Sequence, residues 1–491
     1  MKQLLILVAV LLVAGCSNEI KVGSEKCRIT LNAKGQITEL KCAGTVRTVS
    51  SEALLEGAVT EGEVTVKELS GGGREFGRTV KSPDGHKASV TERFMIAGNG
   101  GISWTVEIAG LDGEAWSAPV CRTVKYPAGD DVQWWTAWSD PRCQHIKDKS
   151  WHDPLVPQPL KDATLNYGLK PLEDGKPFDL ADSPPYWSDL STLPMFTFLE
   201  KNTDFGLTFI QSPADNLLDV RMSITKDGKA VLEYLHHRFT GKPLVLTALL
   251  IPHQADWRAA LKEVVDLYPD YFEPVNPKVN GIAGAASYSN ATDAIVADAG
   301  KYRKMGYRVN WQASVDFPWF GMFIPPVDDE VHWTTFGNRD YCVPMFEKEA
   351  RAMKEAGFFT LNYFNVTEVG TYIKYPRPQS VDVSEQDLWK DANAYLYSKL
   401  GDAILMLPDK KTGKMKPVFS WCGSVVTDPG VASYHDFLLA QLQRHIDKIP
   451  SSFGICIDRM DWLRLYNPAF DDGVSWYEGK PAQSLLSGWR R

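Results

Sequence analysis

Between residues 25 and 255, apolar and polar positions alternate in short runs. Arg28–Leu31, Glu63–Glu68, Ala88–Phe94, Ser103–Ile108, Met195–Leu199, Phe205–Gln211, Ala230–Tyr234 and Leu244–Leu250 read as strands, because a period near two puts successive side chains on opposite faces. Asp84-Gly85, Asn99-Gly100-Gly101 and Asp227-Gly228 punctuate them as turns. Many short strands with almost no helical period predict a large antiparallel sandwich. Residues 139–190, rich in Pro, Asp and Trp, break the pattern and read as a long excursion over one end.

The grammar changes at Trp257. Leu261, Val264, Val265 and Tyr268 recur at helical spacing, predicting a helix over Trp257–Tyr268 that Pro269 stops. From residue 281 apolar runs alternate with helical ones, the signature of βα units and a parallel sheet. The predicted strands are Gly281–Tyr288, Tyr307–Val315, Phe358–Val366 and Phe453–Asp458. The predicted helices are Ala291–Met305, Pro344–Ala356 and Ser433–Ile449. These patterns divide the chain into a sandwich (25–255), a linker helix (256–275) and an α/β module (276–491) of (β/α)8 TIM-barrel type. A barrel takes eight strands and roughly 250 residues. Only four strands are evident, so the barrel is expected to be incomplete after the fourth. Two further candidates, Ile404–Leu407 and Val418–Trp421, lie in the long 369–430 insertion.

The first residues set the compartment. Lys2 precedes an apolar run, Leu4 to Ala14, too short for a membrane-spanning helix, so residues 1–15 read as an export signal. The ending Val13-Ala14-Gly15-Cys16 resembles a bacterial lipobox. That resemblance implies lipid on Cys16, a tether over 16–24, and a protein anchored at the bacterial cell envelope. Export permits disulfides. Cys27 and Cys42 flank a hairpin centred on Lys34-Gly35 and are the expected pair, with Cys121 and Cys143 second. Cys342, Cys422 and Cys456 read as small apolar fillers. No Cys/His spacing matches a zinc site. No cofactor or metal ligand is predicted, and Ca²⁺ is assigned to no residue. The net charge is −8, and Lys410, Lys411, Lys414 and Lys416 form only a short solvated loop, which excludes a nucleic-acid binder. Gly71-Gly72-Gly73 lacks the Lys-Ser/Thr of a phosphate loop.

In βα folds of this type the reacting groups gather at the carboxyl ends of the strands. Here those ends carry Ser287–Asn290, Trp311–Phe320, Asn362–Glu368 and Asp458–Trp462. Acids, amides and indoles together suit a sugar: acids and amides bind hydroxyls, indole faces cover C–H surfaces, and paired carboxylates do the chemistry. Asp458 and Glu368 are the candidate catalytic groups. Asp316, Trp311, Trp319, Asn362, Asn365, Arg459, Asp461 and Trp462 are the candidate substrate contacts. Each has a plainer alternative: Asp458 as a cap or ion pair, Glu368 and Asp316 as loop braces, Arg459 as a neighbour's counter-ion, and the tryptophans as core.

The order of modules, with WQASVDFPWFGMFIPPV (311–327), LNYFNVTEVG (361–370) and DPG…GICIDRMDW (428–462), resembles a family of secreted bacterial glycosidase-like proteins. These place a galactose mutarotase-like β-supersandwich before a (β/α)8 barrel, as in endo-α-N-acetylgalactosaminidases and α-galactosidases. The motifs lie within residues 190–491, and the earlier sandwich is similar only in style. The resemblance implies a glycoside hydrolase acting on an α-linked sugar or glycan, with the Asp ending the fourth strand, Asp458, as nucleophile. In α-galactosidases the general acid comes from a later strand, and none is evident here. A non-catalytic carbohydrate-binding surface lipoprotein, or a truncated remnant, is the alternative.

Overall fold

A computed structural model describes residues 19–138, 155–167, 191–288, 292–321, 323–379, 382–409, 411–458 and 460–490. The signal and Cys16, most of the 139–190 excursion including Cys143, the Ser289-Asn290 strand end, Arg459 and the side chain of Asp461 lie outside the described residues.

The predicted sandwich is present, and each of its predicted strands is found, most of them longer than the pattern suggested. A nine-stranded antiparallel sheet runs, edge to edge, through Gln158–Pro159, Val132–Trp138, Ser191–Glu200, Phe205–Gln211, Leu244–His253, Ile102–Gly110, Lys87–Ile96, Arg74–Lys81 and Val59–Glu68. A five-stranded sheet runs through Thr164–Tyr167, Asp219–Thr225, Lys229–Leu235, Val120–Lys125 and Ser50–Leu55. Phe94, Trp104, Phe209, Val124, Leu232 and Tyr234 from the two sheets form one buried core. In Ile102–Gly110 every second residue is buried, as a sheet with one covered face requires. Phe205–Gln211 is buried throughout. Helix Trp257–Leu267 lies against its other face, where Ala260 and Val264 join Ile210, Leu249 and Ile251, and Trp257 stacks on Trp135 at 4.9 Å.

A small N-terminal sheet orders Ile20–Gly23, Cys27–Leu31, Ile37–Cys42 and Thr45–Arg47. The hairpin register places Cys27 opposite Cys42, both buried, with Sγ atoms 2.8 Å apart. Arg47 ties this sheet to the sandwich by a two-pronged contact with Glu200, at 2.8 and 2.7 Å. Burial opposes ionisation of Glu200, but hydrogen bonds from Arg47, Thr203 and Tyr126 outweigh it and hold the carboxyl at about 2, below its ordinary 4.5. A depressed folded-state value stabilises the fold above the unfolded value and is lost as pH falls through the folded one. Stability should therefore drop between pH 4.5 and about 2, and Glu200→Gln should flatten that part of a urea-midpoint profile against pH.

In the α/β module, Ala285–Tyr288, Tyr307–Gln312, Phe359–Asn365 and Gly454–Asp458 form a parallel sheet in sequence order. Among the described residues these four strands do not close into a barrel, and the two outer ones have no further partner in the sheet. The first strand starts later than predicted because Pro277–Ile282, with Pro277 at its first turn and Asn276 as its cap, is a 3₁₀ helix. The first predicted helix divides at Asp298 into Thr292–Ala297 and Ala299–Lys304. Neither extra strand candidate joins the parallel sheet: Met406–Pro408 pairs antiparallel with Met415–Pro417, and Phe419 bridges to Val425.

The segment after Asp461 has secondary structure of its own. Tyr466–Asn467, Lys480–Ser484 and Ser475–Tyr477 form a sheet, followed by helix Leu485–Trp489. It is stitched to the sandwich by Trp476 N–H to the His236 carbonyl (2.8 Å), Arg238 N–H to the Val474 carbonyl (2.8 Å), and Arg490 to Asn216 Oδ1 (2.9 Å). On its other side Asp428 Oδ2 accepts from Asn467 (2.9 Å) and Gln483 (2.8 Å). Gly430 and Gly488 let two backbones touch here, since a Cβ on Gly488 would sit 2.5 Å from the Gly430 Cα. Gly488→Ala should cost about 1–3 kcal/mol through overpacking against backbone, read as a lowered urea midpoint.

Candidate active site

Alternation along the parallel sheet sorts the strand-end residues onto two faces. Asn365 pairs in register with Asp458, Tyr363 with Cys456, and Trp311 with Leu361, and these share one face. Asn362, Phe364, Ile455 and Ile457 occupy the other, where Phe364 meets His445 of helix Ala432–Lys448 at 6.0 Å. Asn362 therefore points away from Asp458.

The loop after Phe359–Asn365 is shaped by Asn365. Its Oδ1 accepts from the backbone N–H groups of Thr367 (3.0 Å) and Glu368 (3.1 Å), turning the chain, while its Nδ2 donates to the Tyr363 hydroxyl and to Glu368 Oε2, both at 3.1 Å. The other Glu368 oxygen accepts from the Trp462 indole N–H and the Ser420 hydroxyl. Asn365 and Glu368 have no exposed surface, and Trp462 has almost none. The network thus joins three segments: the third-strand loop, the fourth-strand loop and the insertion. It forms a buried, hydrogen-bonded floor.

Above that floor, Asp458 ends its strand half-buried, and Trp311 is half-buried and stacked on Tyr363 at 5.9 Å with the rings 23° apart. Cys456 shares the face. Its thiol is pushed above the ordinary 9.0, first by burial and then by the Asp458 charge.

Besides Asn362, two further predicted contacts are placed elsewhere. Trp319 is core, donating to the Trp389 carbonyl at 3.1 Å and stacking on Phe323 at 4.6 Å. Asp316 is buried in the loop after the second strand, where it accepts from Gln312 Nε2 at 2.6 Å and pairs with Arg339. It braces that loop. Sequence reasoning missed Ser420, which has no local signal, and Tyr363, whose place two residues before Asn365 put it on the same face.

Fold and site together define a two-part protein: an antiparallel sandwich leading into a parallel α/β sheet whose carboxyl ends hold a half-open acidic and aromatic face. No protein-family model matches the chain, and no curated protein matches it. Among solved structures, the chain is similar to an α-N-acetylgalactosaminidase from Bifidobacterium bifidum, at 10% identity and a TM-score of 0.49, over 89% of this chain and 70% of that one. It is also similar to an α-galactosidase from Lactobacillus brevis, at 10% identity and a TM-score of 0.41, over 84% of this chain; here it spans 51% of the other protein. A galactose mutarotase-like protein from Lactobacillus casei aligns over its full length with 48% of this chain, at 9% identity and a TM-score of 0.32. At these scores the shapes agree loosely, and the functional reading rests on the site itself.

Proposed function

We propose that this is a glycosidase-like protein acting on an α-linked sugar or glycan, with Asp458 as its nucleophile and a lipid on Cys16 holding it at the cell envelope. The observation that carries the reading is a half-buried carboxylate at the carboxyl end of a parallel sheet, on the same face as a half-buried indole two strands away and beside a buried hydrogen-bonded floor. A carboxylate so placed can attack an anomeric carbon as the glycosidic C–O bond breaks, the departing oxygen taking its proton from water, and the glycosyl ester so formed is then cleaved by a second water, which frees the carboxylate. Trp311 offers a flat apolar surface to the sugar's C–H face. Asn365 and Glu368 keep the neighbouring loop in place, and Trp462 is held with them.

One observation favours a second reading, carbohydrate binding without turnover: among the described residues the sheet walls the site on one side only. The test assays the whole protein on nitrophenyl α-galactoside and α-N-acetylgalactosaminide, beside Asp458→Asn. Hydrolysis that disappears in the variant supports the enzyme. Sugar binding by both proteins without hydrolysis supports the binder, and neither activity on any α-linked glycan overturns both.

A further inference from the structure

Among the described residues of the 369–430 insertion three aromatic residues are exposed, Tyr372, Tyr375 and Trp421, and the site above uses none of them. Tyr372 is 70% exposed and Trp421 is 47% exposed. They sit on two turns pinned together by backbone: Tyr372 N–H donates to the Cys422 carbonyl (2.8 Å), Ile373 N–H to the Gly423 carbonyl (2.9 Å), and the Thr371 hydroxyl also to Cys422 (3.3 Å). Both turns use left-handed backbone at non-glycine residues, with φ of 49° at Tyr372 and 52° at Cys422, a conformation that costs energy for a side-chain-bearing residue. Gly423, at φ 66°, could not carry a Cβ without pressing to 3.1 Å from the Tyr372 Cα. These hydrogen bonds thus hold side by side two turns that each display a large, partly exposed ring.

The position of these turns ties them to the site. Trp421 directly follows Ser420, whose hydroxyl binds Glu368, and Glu368 is bonded to Asn365, the register partner of Asp458. Three residues beyond Tyr372 the chain enters a cleft of about 440 Å³ lined by residues including Tyr375, Arg377, Tyr397 and Asp402. Arg377 lies over the Tyr397 ring at 5.6 Å. Aromatic walls with a few charged groups suit a hydroxylated ring, whose faces are apolar and whose edges are polar.

We infer that Tyr372 and Trp421 form an additional carbohydrate subsite, stacking a sugar unit of an extended α-linked oligosaccharide whose terminal unit sits at Asp458. This rests on the proposed carbohydrate function and adds that the substrate is a chain longer than one sugar. Loss of one stacking ring should weaken oligosaccharide binding about tenfold, the factor corresponding to about 1.4 kcal/mol of apolar burial.

The experiment measures binding by calorimetry on the full protein carrying Asp458→Asn, with methyl α-galactoside and an α-galacto-trisaccharide as probes. Trp421→Ala and Tyr372→Ala are expected to weaken the trisaccharide about tenfold each and leave the methyl glycoside within about twofold. Trp421→Phe, which keeps a ring, should stay within about threefold for both. Equal trisaccharide affinity in the alanine variants overturns the subsite while the carbohydrate reading stands. Ring-dependent trisaccharide binding in a protein that hydrolyses nothing keeps the subsite and removes the hydrolase. Failure of the Asp458→Asn protein and the unsubstituted protein to bind either probe overturns both.

Discussion

Asp458→Asn is expected to lower kcat on a nitrophenyl α-glycoside by about a thousandfold or more, with sugar affinity changing by less than about threefold. The amide matches the carboxylate in shape and keeps a hydrogen-bonding oxygen, so the terminus of Gly454–Asp458 and its pairing with Phe359–Asn365 should persist. What it lacks is the charge and the nucleophilic oxygen that an ester intermediate requires. A second readout is independent of turnover. Because the Asp458 charge helps push the Cys456 thiol up, the variant should lower that thiol's pKa and speed its alkylation near neutral pH. Retained hydrolysis would remove Asp458 from the mechanism. An unchanged thiol would mean that the two side chains do not share the face described.

Glu368→Ala is expected to destabilise the protein by about 3–5 kcal/mol, the range for removing one partner of a buried charged network. The carboxylate accepts from Asn365, Ser420 and Trp462, two of which lie far away in sequence. Its removal leaves those donors facing a dry cavity with no acceptor. Glu368→Gln keeps the volume and one acceptor oxygen and should cost less than the alanine. The check is the urea midpoint of both variants against the unsubstituted protein. A loss under about 1 kcal/mol for the alanine would show that water replaces the carboxylate, and that the floor does not depend on it.

These two carboxylates show how far the chain could be read. Both stood out because each lies at or just beyond the carboxyl end of an apolar run, a position that a short window reveals. Their roles did not stand out. Glu368 has no exposure because Ser420 is 52 residues away in sequence and Trp462 is 94 away, and no local period encodes such a meeting. Asn362 and Asn365 differ only in parity, and parity places a residue on a face without saying which face meets the helices. Trp311 and Trp319 read alike as indoles near a strand end, yet one lies half-open on Tyr363 while the other is sealed against Phe323.

By itself the sequence determined what depends on neighbours a few residues apart. The strands of the sandwich, the helix from Trp257, the four strands of the α/β module and the facing of Cys27 to Cys42 all follow from side-chain period and turn chemistry, which are local. Only the tertiary structure decided what depends on contact between distant segments. It set the exposure of Asp458 against the burial of Glu368, and it displayed Tyr372 and Trp421 on pinned turns. It also folded residues 466–489 into a small sheet and helix, a segment whose own pattern is too weak to specify structure. That segment is held by Asp428, by the Gly430–Gly488 contact and by hydrogen bonds to residues 216–238. Burial and hydrogen-bond satisfaction are properties of the assembled fold, and a chain acquires them only when its remote parts meet.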